Sequence, residues 1–405
     1  MLTLLLTITS PVTAQTLSNR GFVEARGYLF AQDAPNDSTR AVGDLLIRDE
    51  LFVKPAPWIQ FAGGIELRAN THDQVDGSFR IDLSDRGLRR PRLAVRRLTA
   101  TFTRKGFTLD VGKQFIRWGK TDIVTPTDRF APRDFLNVVD NDFLGVTGAR
   151  ASLATDNDTF EGVWLPWLTP SRIPLLDQRW TAIPPGAAGA LIVDAGAVYP
   201  HGSQAGVRWS HVGAGFESAL SFSDGFNHVP NIESGVRPAV LPEIDITRVY
   251  PAMRTYGADA AVPTRWFTIK GETAYVTSSS PRTDEYVLYV VQLERQAGEW
   301  VLVGGYAGEA LTRHRAAATF APDRGLTRSL VGRASYTIDT NRSVAFEGAV
   351  RQDGDGAYAK GEYSHAHGQH WRATIGGTLI RGAPGDFLGQ YRRNSHASLA
   401  LRYSF

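Results

Sequence analysis

The chain has 405 residues, 42% of them hydrophobic and 21% charged, with 40 Gly, 21 Pro, no Cys and a formal net charge of +3. That composition excludes a disordered chain, a collagen and a disulfide scaffold, and the lack of thiolates removes cysteine-based zinc and iron–sulfur sites while suiting an exported chain. Mean hydropathy is −0.20, and no run approaches the roughly 18 apolar residues of a membrane-spanning helix, the longest candidates being 2–8 and 187–199 with Asp194 inside the latter.

Residues 1–14 form a short apolar stretch ending Val12-Thr13-Ala14 before Gln15, which reads as the tail of a secretory signal peptide without the usual basic start. Residues 15–405 are then one domain. Segments of about ten residues with period-2 alternation recur throughout, bounded by Gly, Asn, Asp and Pro. Eighteen strand candidates follow: 21–32, 43–54, 58–69, 93–104, 107–117, 146–154, 158–167, 205–213, 215–224, 244–260, 265–277, 285–295, 299–307, 327–338, 342–352, 357–365, 370–380 and 395–405.

Short connections, such as Pro55-Ala56-Pro57, Lys105-Gly106 and Gln296 to Gly298, alternate with long ones, including 70–92, 118–145, 168–204, 225–243, 308–326 and 381–394. Such alternation marks an all-β transmembrane antiparallel β-barrel of about eighteen strands (range 16–18), with no residues to spare for a plug domain and both termini at the short-turn end. A soluble β-sandwich array is the rival architecture, and it explains neither the turn alternation nor the terminal Phe405.

One face of the strands is apolar, as in Phe61, Ile65 and Leu67, Leu98 and Phe102, or Val344, Phe346 and Val350; the opposite face is polar and would line a lumen. Trp58, Trp266, Trp300 and Trp371 follow short turns, where an aromatic girdle belongs, although strict alternation sends Trp58 and Trp266 inward. On the lumen wall, Arg26, Arg48, Arg68, Arg97, Arg333, Arg351, Arg372 and Arg402 give a basic lean that could favour anions. The couples Glu24/Arg26, Arg48/Glu50 and Glu66/Arg68 are better read as salt-bridge ladders.

The densest feature is residues 112–134, reading GKQFIRWGKTDIVTPTDRFAPRD. A strand ending Gly112-Lys113-Gln114, then Arg117-Trp118-Gly119, Pro126-Thr127-Asp128 and a closing Pro132-Arg133-Asp134, resembles a porin-like family of Gram-negative outer-membrane β-barrels of unassigned function. The resemblance implies an outer-membrane location and no established substrate. In general porins the third external loop folds into the lumen, and this motif is the third long connection. Arg117, Trp118, Lys120, Asp122, Asp128, Arg129, Arg133 and Asp134 are therefore the candidate constriction, either pinning the loop or facing the solute.

The basic run Arg86, Arg89, Arg90, Arg92 and Arg96 suits lipopolysaccharide phosphates at the outer surface; without interleaved aromatics it does not read as a nucleic-acid site. Outer-membrane lipid, the barrel-assembly machinery acting on the strand that ends in Phe405, and a second copy of the chain are the partners this reading allows. His365, His367 and His370 flank a turn without a completing ligand, so no metal or cofactor is expected. Residues 184–200 are expected as a short helix or hairpin, or as packing across the barrel mouth.

The leading reading is a passive channel for small hydrophilic solutes, and not an enzyme. A transporter of lipidic or aromatic solutes serving an inner-membrane exporter would show an apolar path through Phe115, Phe130 and Phe135. An outer-membrane hydrolase would need a Ser/His or Asp/His pair at the rim, and no Gly-x-Ser-x-Gly motif is present.

Overall fold

The computed structural model describes residues 16–79, 81–182, 191–237, 243–315, 321–322 and 324–405; the proposed signal peptide lies outside them. Among the described residues eighteen long strands follow one another: β1 (Thr16–Phe30), β2 (Ala41–Ala56), β3 (Ile59–Asn70), β4 (Arg90–Arg104), β5 (Phe107–Gln114), β6 (Val146–Ala154), β7 (Asp158–Leu165), β8 (Gln204–Gly213) and β9 (Phe216–Phe226). They continue as β10 (Ala252–Pro263), β11 (Thr268–Ser278), β12 (Glu285–Ala297), β13 (Trp300–Arg313), β14 (Ser329–Thr337), β15 (Arg342–Arg351), β16 (Ala357–His367), β17 (Trp371–Arg381) and β18 (His396–Ser404). Each pairs antiparallel with its neighbour, and β18 pairs with β1 from Phe22 opposite Ser404 to Phe30 opposite His396, closing the barrel.

Closure ends at Gly21, which exchanges two backbone hydrogen bonds of 3.0 Å with Phe405. A Cβ at Gly21 would come within 2.6 Å of the Phe405 ring, so the position has no room for a side chain. Tight connections (57–58, 105–106, 155–157, 214–215, 264–267, 298–299, 338–341 and 368–370) occupy this same end, and the long loops occupy the other.

Alternation orients the wall. On β15, Phe346 and Val350 are 56% and 58% exposed on the outside while Glu347 and Arg351 face in. Leu98, Phe160, Val207, Leu220, Val291, Leu330, Ile375 and Leu399 continue an exposed apolar belt that only lipid can cover.

Some expectations are corrected. The single strand read at 244–260 is two, broken at Tyr250-Pro251 because proline cannot donate to a ladder. Its first half, Glu243–Val249, belongs to a small sheet among the long loops, flanked by Leu191–Val198 in parallel and Asn231–Arg237 antiparallel. Of the segment 184–200, expected as a short helix or hairpin or as packing across the barrel mouth, 191–198 is a strand of this loop sheet and not a helix; residues 183–190 lie outside the described residues.

Trp58 and Trp266 do not turn inward. Both sit in turns, where alternation does not apply, and are exposed like Trp300 and Trp371. Trp58 lies against Phe102, Trp300 against Tyr336 and Trp371 against Tyr403, with ring centroids 6.3, 4.7 and 5.0 Å apart, a girdle at the short-turn rim.

An outward charge tests the lipid-facing assignment. Phe346→Arg, halfway along β15, is expected to destabilise the barrel by about 2–4 kcal/mol in urea titrations in phosphatidylcholine vesicles. A change near zero would mean that this face does not meet hydrocarbon.

Candidate functional site

After Gln114 the chain leaves the wall and re-enters the barrel, and residues 115–145 cross its interior before β6. The turn inward is driven by apolar burial: Ile116, Trp118 and Phe130 pack with Val146, Val163 and Leu165. Trp118 meets Phe130 edge-to-face at 5.0 Å and donates its Nε1–H to Glu161 on β7. The wall makes room at Gly206, where a Cβ would lie 2.7–2.8 Å from Phe130 and Trp118. Asp128 closes the loop on itself, accepting the Trp118 and Gly119 N–H groups at 2.6 and 2.7 Å and Arg117 Nε at 3.3 Å.

The loop then docks on the far wall. Glu272 of β11, 3% exposed, accepts five hydrogen bonds from it: Lys120 N, Thr121 N and Thr121 Oγ1 to one carboxylate oxygen at 2.7–2.8 Å, and Thr127 N and Thr127 Oγ1 to the other at 2.8 and 2.9 Å. One buried carboxylate thus satisfies three loop amides that would otherwise lack partners. Next to it, Asp122 bonds Lys270 at 3.1 Å and Gln292, whose Oε1 accepts the Asp122 N–H at 3.0 Å, while Lys120 pairs with Glu217. His228 faces two carbonyls, Thr169 O at 2.7 Å from Nδ1 and Arg129 O at 2.6 Å from Nε2.

The return leg is held by charge. Asp134 accepts a bidentate pair from Arg90 at 2.8 and 3.0 Å and a bond from Arg172 at 3.1 Å; Arg172 also bonds Asp85, which Lys113 reaches at 3.2 Å. Farther on, Asp140 meets Arg26 at 2.7 Å, Tyr28 Oη at 3.1 Å and Lys360 at 3.7 Å. The loop therefore ties β5 to β11 and β12, then returns to β1 and β16.

Burial alone would raise the Asp134 carboxyl, but Arg90 and Arg172 outweigh it and hold it well below the ordinary carboxylate range. Asp140 is lowered in the same way, burial opposed by Lys360 and Arg26, and Asp122 by its bonds to Gln292 and Lys270 against burial. Carboxyls depressed in the folded state contribute stability above their unfolded values, and this is lost as pH falls through the lower folded values.

Beside the return leg, a cavity of about 200 Å³ is lined by wall arginines and loop acids, among them Arg26, Arg48, Arg68, Asp134, Asp140 and Asp142. The wall arginines form ladders by strand register. Arg402 and Arg26 share Glu24 at 2.6 and 3.0 Å; Arg48, Arg68 and Arg96 share Glu66 at 2.6, 3.0 and 3.0 Å. The expected Arg48/Glu50 couple is not formed, because Glu50 stands opposite Arg20 and bonds it at 2.7 Å.

A bulge at Arg96 of β4, opposite Gly64 and Ile65 of β3, breaks the alternation on β4. Arg96, read as a surface residue, therefore reaches Glu66, while Arg97 packs over Phe115 at 5.6 Å. Arg90 of the same run is likewise turned inward, onto Asp134. Arg333 pairs with Glu347 at 3.5 Å, and Arg351 with Asp386 at 2.7 Å.

Of the eight candidate loop residues, Asp122, Asp128 and Asp134 are anchors, Trp118 is buried and Lys120 is paired. Arg117 and Arg133 share the Phe143 ring, each guanidinium 4.2 Å from its centroid, and Arg129 bonds Pro126 O at 3.0 Å. Glu272, Asp140, Arg172 and His228 were not among the candidates. Glu272 could be seen only as one more inward acid.

Two outcomes are expected. Glu272→Ala should expose the loop, raising tryptic cleavage after Lys120 and Arg129 by roughly 100-fold in the folded barrel, as loss of several charge-assisted bonds implies; unchanged protection would remove Glu272 as the anchor. Amide-exchange protection of residues 134–142 should be flat from pH 8 to 5 and fall only below about pH 4. A loss centred at pH 6 would show that these carboxyls do not hold the return leg.

No protein-family model matches the chain, and no curated protein matches it in sequence. Solved structures do match in fold. OccK3 (OpdO) of Pseudomonas aeruginosa superposes with a TM-score of 0.54 at 12% identity, covering 96% of this chain and 95% of that one. A BenF-like porin from Pseudomonas fluorescens Pf-5 gives 0.56 at 9% identity, covering 97% and 98%. OccAB4 of Acinetobacter baumannii gives 0.54 at 10% identity, covering 98% and 100%.

Proposed function

We propose that the protein is a passive channel for small hydrophilic solutes in the outer membrane of a Gram-negative bacterium, narrowed by the loop 115–145. The observation that carries this reading is the docking of that loop inside the lumen, its amides on Glu272 and its Asp140 on Arg26, Tyr28 and Lys360, beside a wall of ladder arginines. A loop that only covered the barrel mouth would need no buried carboxylate on β11. The resemblance of the 112–134 motif to porin-like barrels and the shared fold of solved porins support the same reading.

Charge selection is weak in this account. The arginines on Glu24 and Glu66 are already paired, so their fields are largely cancelled at solute distance. Arg372, which lines the opening beside Arg26 and Lys360, has no acidic group within ion-pair distance among the described residues, and it supplies the surplus. Asp44, also without an ion-pair partner among them, faces the adjoining opening and offsets part of it. A modest anion preference follows.

Osmotic swelling of proteoliposomes should fall steeply from arabinose to sucrose, and the reversal potential in a tenfold KCl gradient should lie on the chloride side by a few millivolts. Arg372→Glu should move it toward potassium. A vesicle impermeable to arabinose would overturn the channel; a strongly potassium-selective wild type would overturn only the charge assignment.

A further inference from the structure

The loop also leaves a second space of a different character. Between it and the wall, from β8–β12 across to β15 and β16, lies a cavity of about 230 Å³ whose apolar lining includes Val124, Phe130 and Phe135 from the loop, Val229, and Met253 and Leu288 from the wall. The opening beside β1–β4, by contrast, is lined mainly by charged groups.

The charged side chains at the border of this apolar space are committed. Asp128 caps Trp118 and Gly119, Asp224 bonds Arg254 at 2.8 Å, Glu347 pairs with Arg333, Arg133 serves Asn141 and Phe143, Arg129 bonds Pro126 O at 3.0 Å, and His228 stands between Thr169 O and Arg129 O. Two hydroxyls are not. Ser223 on β9 and Thr255 on β10, 7% and 4% exposed, line the cavity, and among the described residues neither side chain makes a hydrogen bond. Their oxygens open onto the cavity, where each offers a donor and an acceptor to whatever fills it.

We propose that this cavity is a binding subsite for a ring-sized, uncharged amphiphile: an aromatic or alicyclic body held by the apolar residues, with a hydroxyl meeting Ser223 and Thr255. The volume is below that of a drug-sized pocket and suits one or two rings. A charged group would have to displace an existing ion pair or shed its water against apolar walls, so carboxylates and ammonium ions are disfavoured. The subsite deepens the channel reading by naming a solute class that pauses on the way through, and its current-block readout rests on that reading.

The test uses the full-length folded protein with resorcinol as probe, and glycerol and benzoate as controls. Equilibrium dialysis in detergent reports binding whether or not the barrel conducts; in planar bilayers, resorcinol should reduce ion current saturably. Ser223→Ala/Thr255→Val, nearly isosteric, should raise the concentration needed for half-maximal binding at least tenfold. Met253→Trp, which fills the space, should abolish binding. Equal binding by wild type and both variants, or benzoate binding as well as resorcinol, overturns the subsite. A wild type that binds resorcinol but passes no current keeps the subsite and sinks the channel.

Discussion

Lipid offers a peptide group no hydrogen-bond partner, and the closed sheet answers that constraint. Every barrel strand has two neighbours, and the last meets the first through nine register pairs ending at the Gly21–Phe405 exchange. Once closed, period-2 alternation separates an apolar exterior from a polar lumen without any long apolar run. A mean hydropathy that would suit a water-soluble chain is therefore compatible with a membrane-spanning one.

The lumen is wide enough to admit part of the chain, and the sequence fills it with residues 115–145. What keeps that segment in place is a division of labour. Apolar burial around Trp118 and Phe130 turns the chain inward, Glu272 fixes its far end, and arginine–aspartate pairs at Asp134 and Asp140 fix its return. Wall glycines are part of the docking: at Gly206 and at Gly257, where a Cβ would lie 2.8 Å from Thr127, the loop approaches closer than a side chain would permit. The crossing leaves a charged space on one side and a largely apolar one on the other.

Much of this was legible in the sequence because strand register and turn length are local properties. The strand count, the eight tight turns and the third long loop follow from alternation and breakers alone. What failed did so for identifiable reasons. The bulge at Arg96, opposite Gly64, turned that arginine into the lumen, which no alternation count can foresee. Pro251 divides one apparent strand between the wall and a loop sheet. The anchors Glu272 and Asp140 are contacts between residues more than a hundred positions apart, and nothing in their local sequence distinguishes them from other inward acids. The candidate arginines were recognised as a group, but their pairing partners were decided by register.

The central claim is that an open lumen is narrowed by a loop held on Glu272. Single-channel recording in planar bilayers, comparing wild type with Glu272→Ala, tests it most directly. The wild type should give small, steady unitary currents, and the variant larger or noisier ones as the loop leaves the wall. Identical currents in the two proteins, or none from folded wild type, would contradict the account.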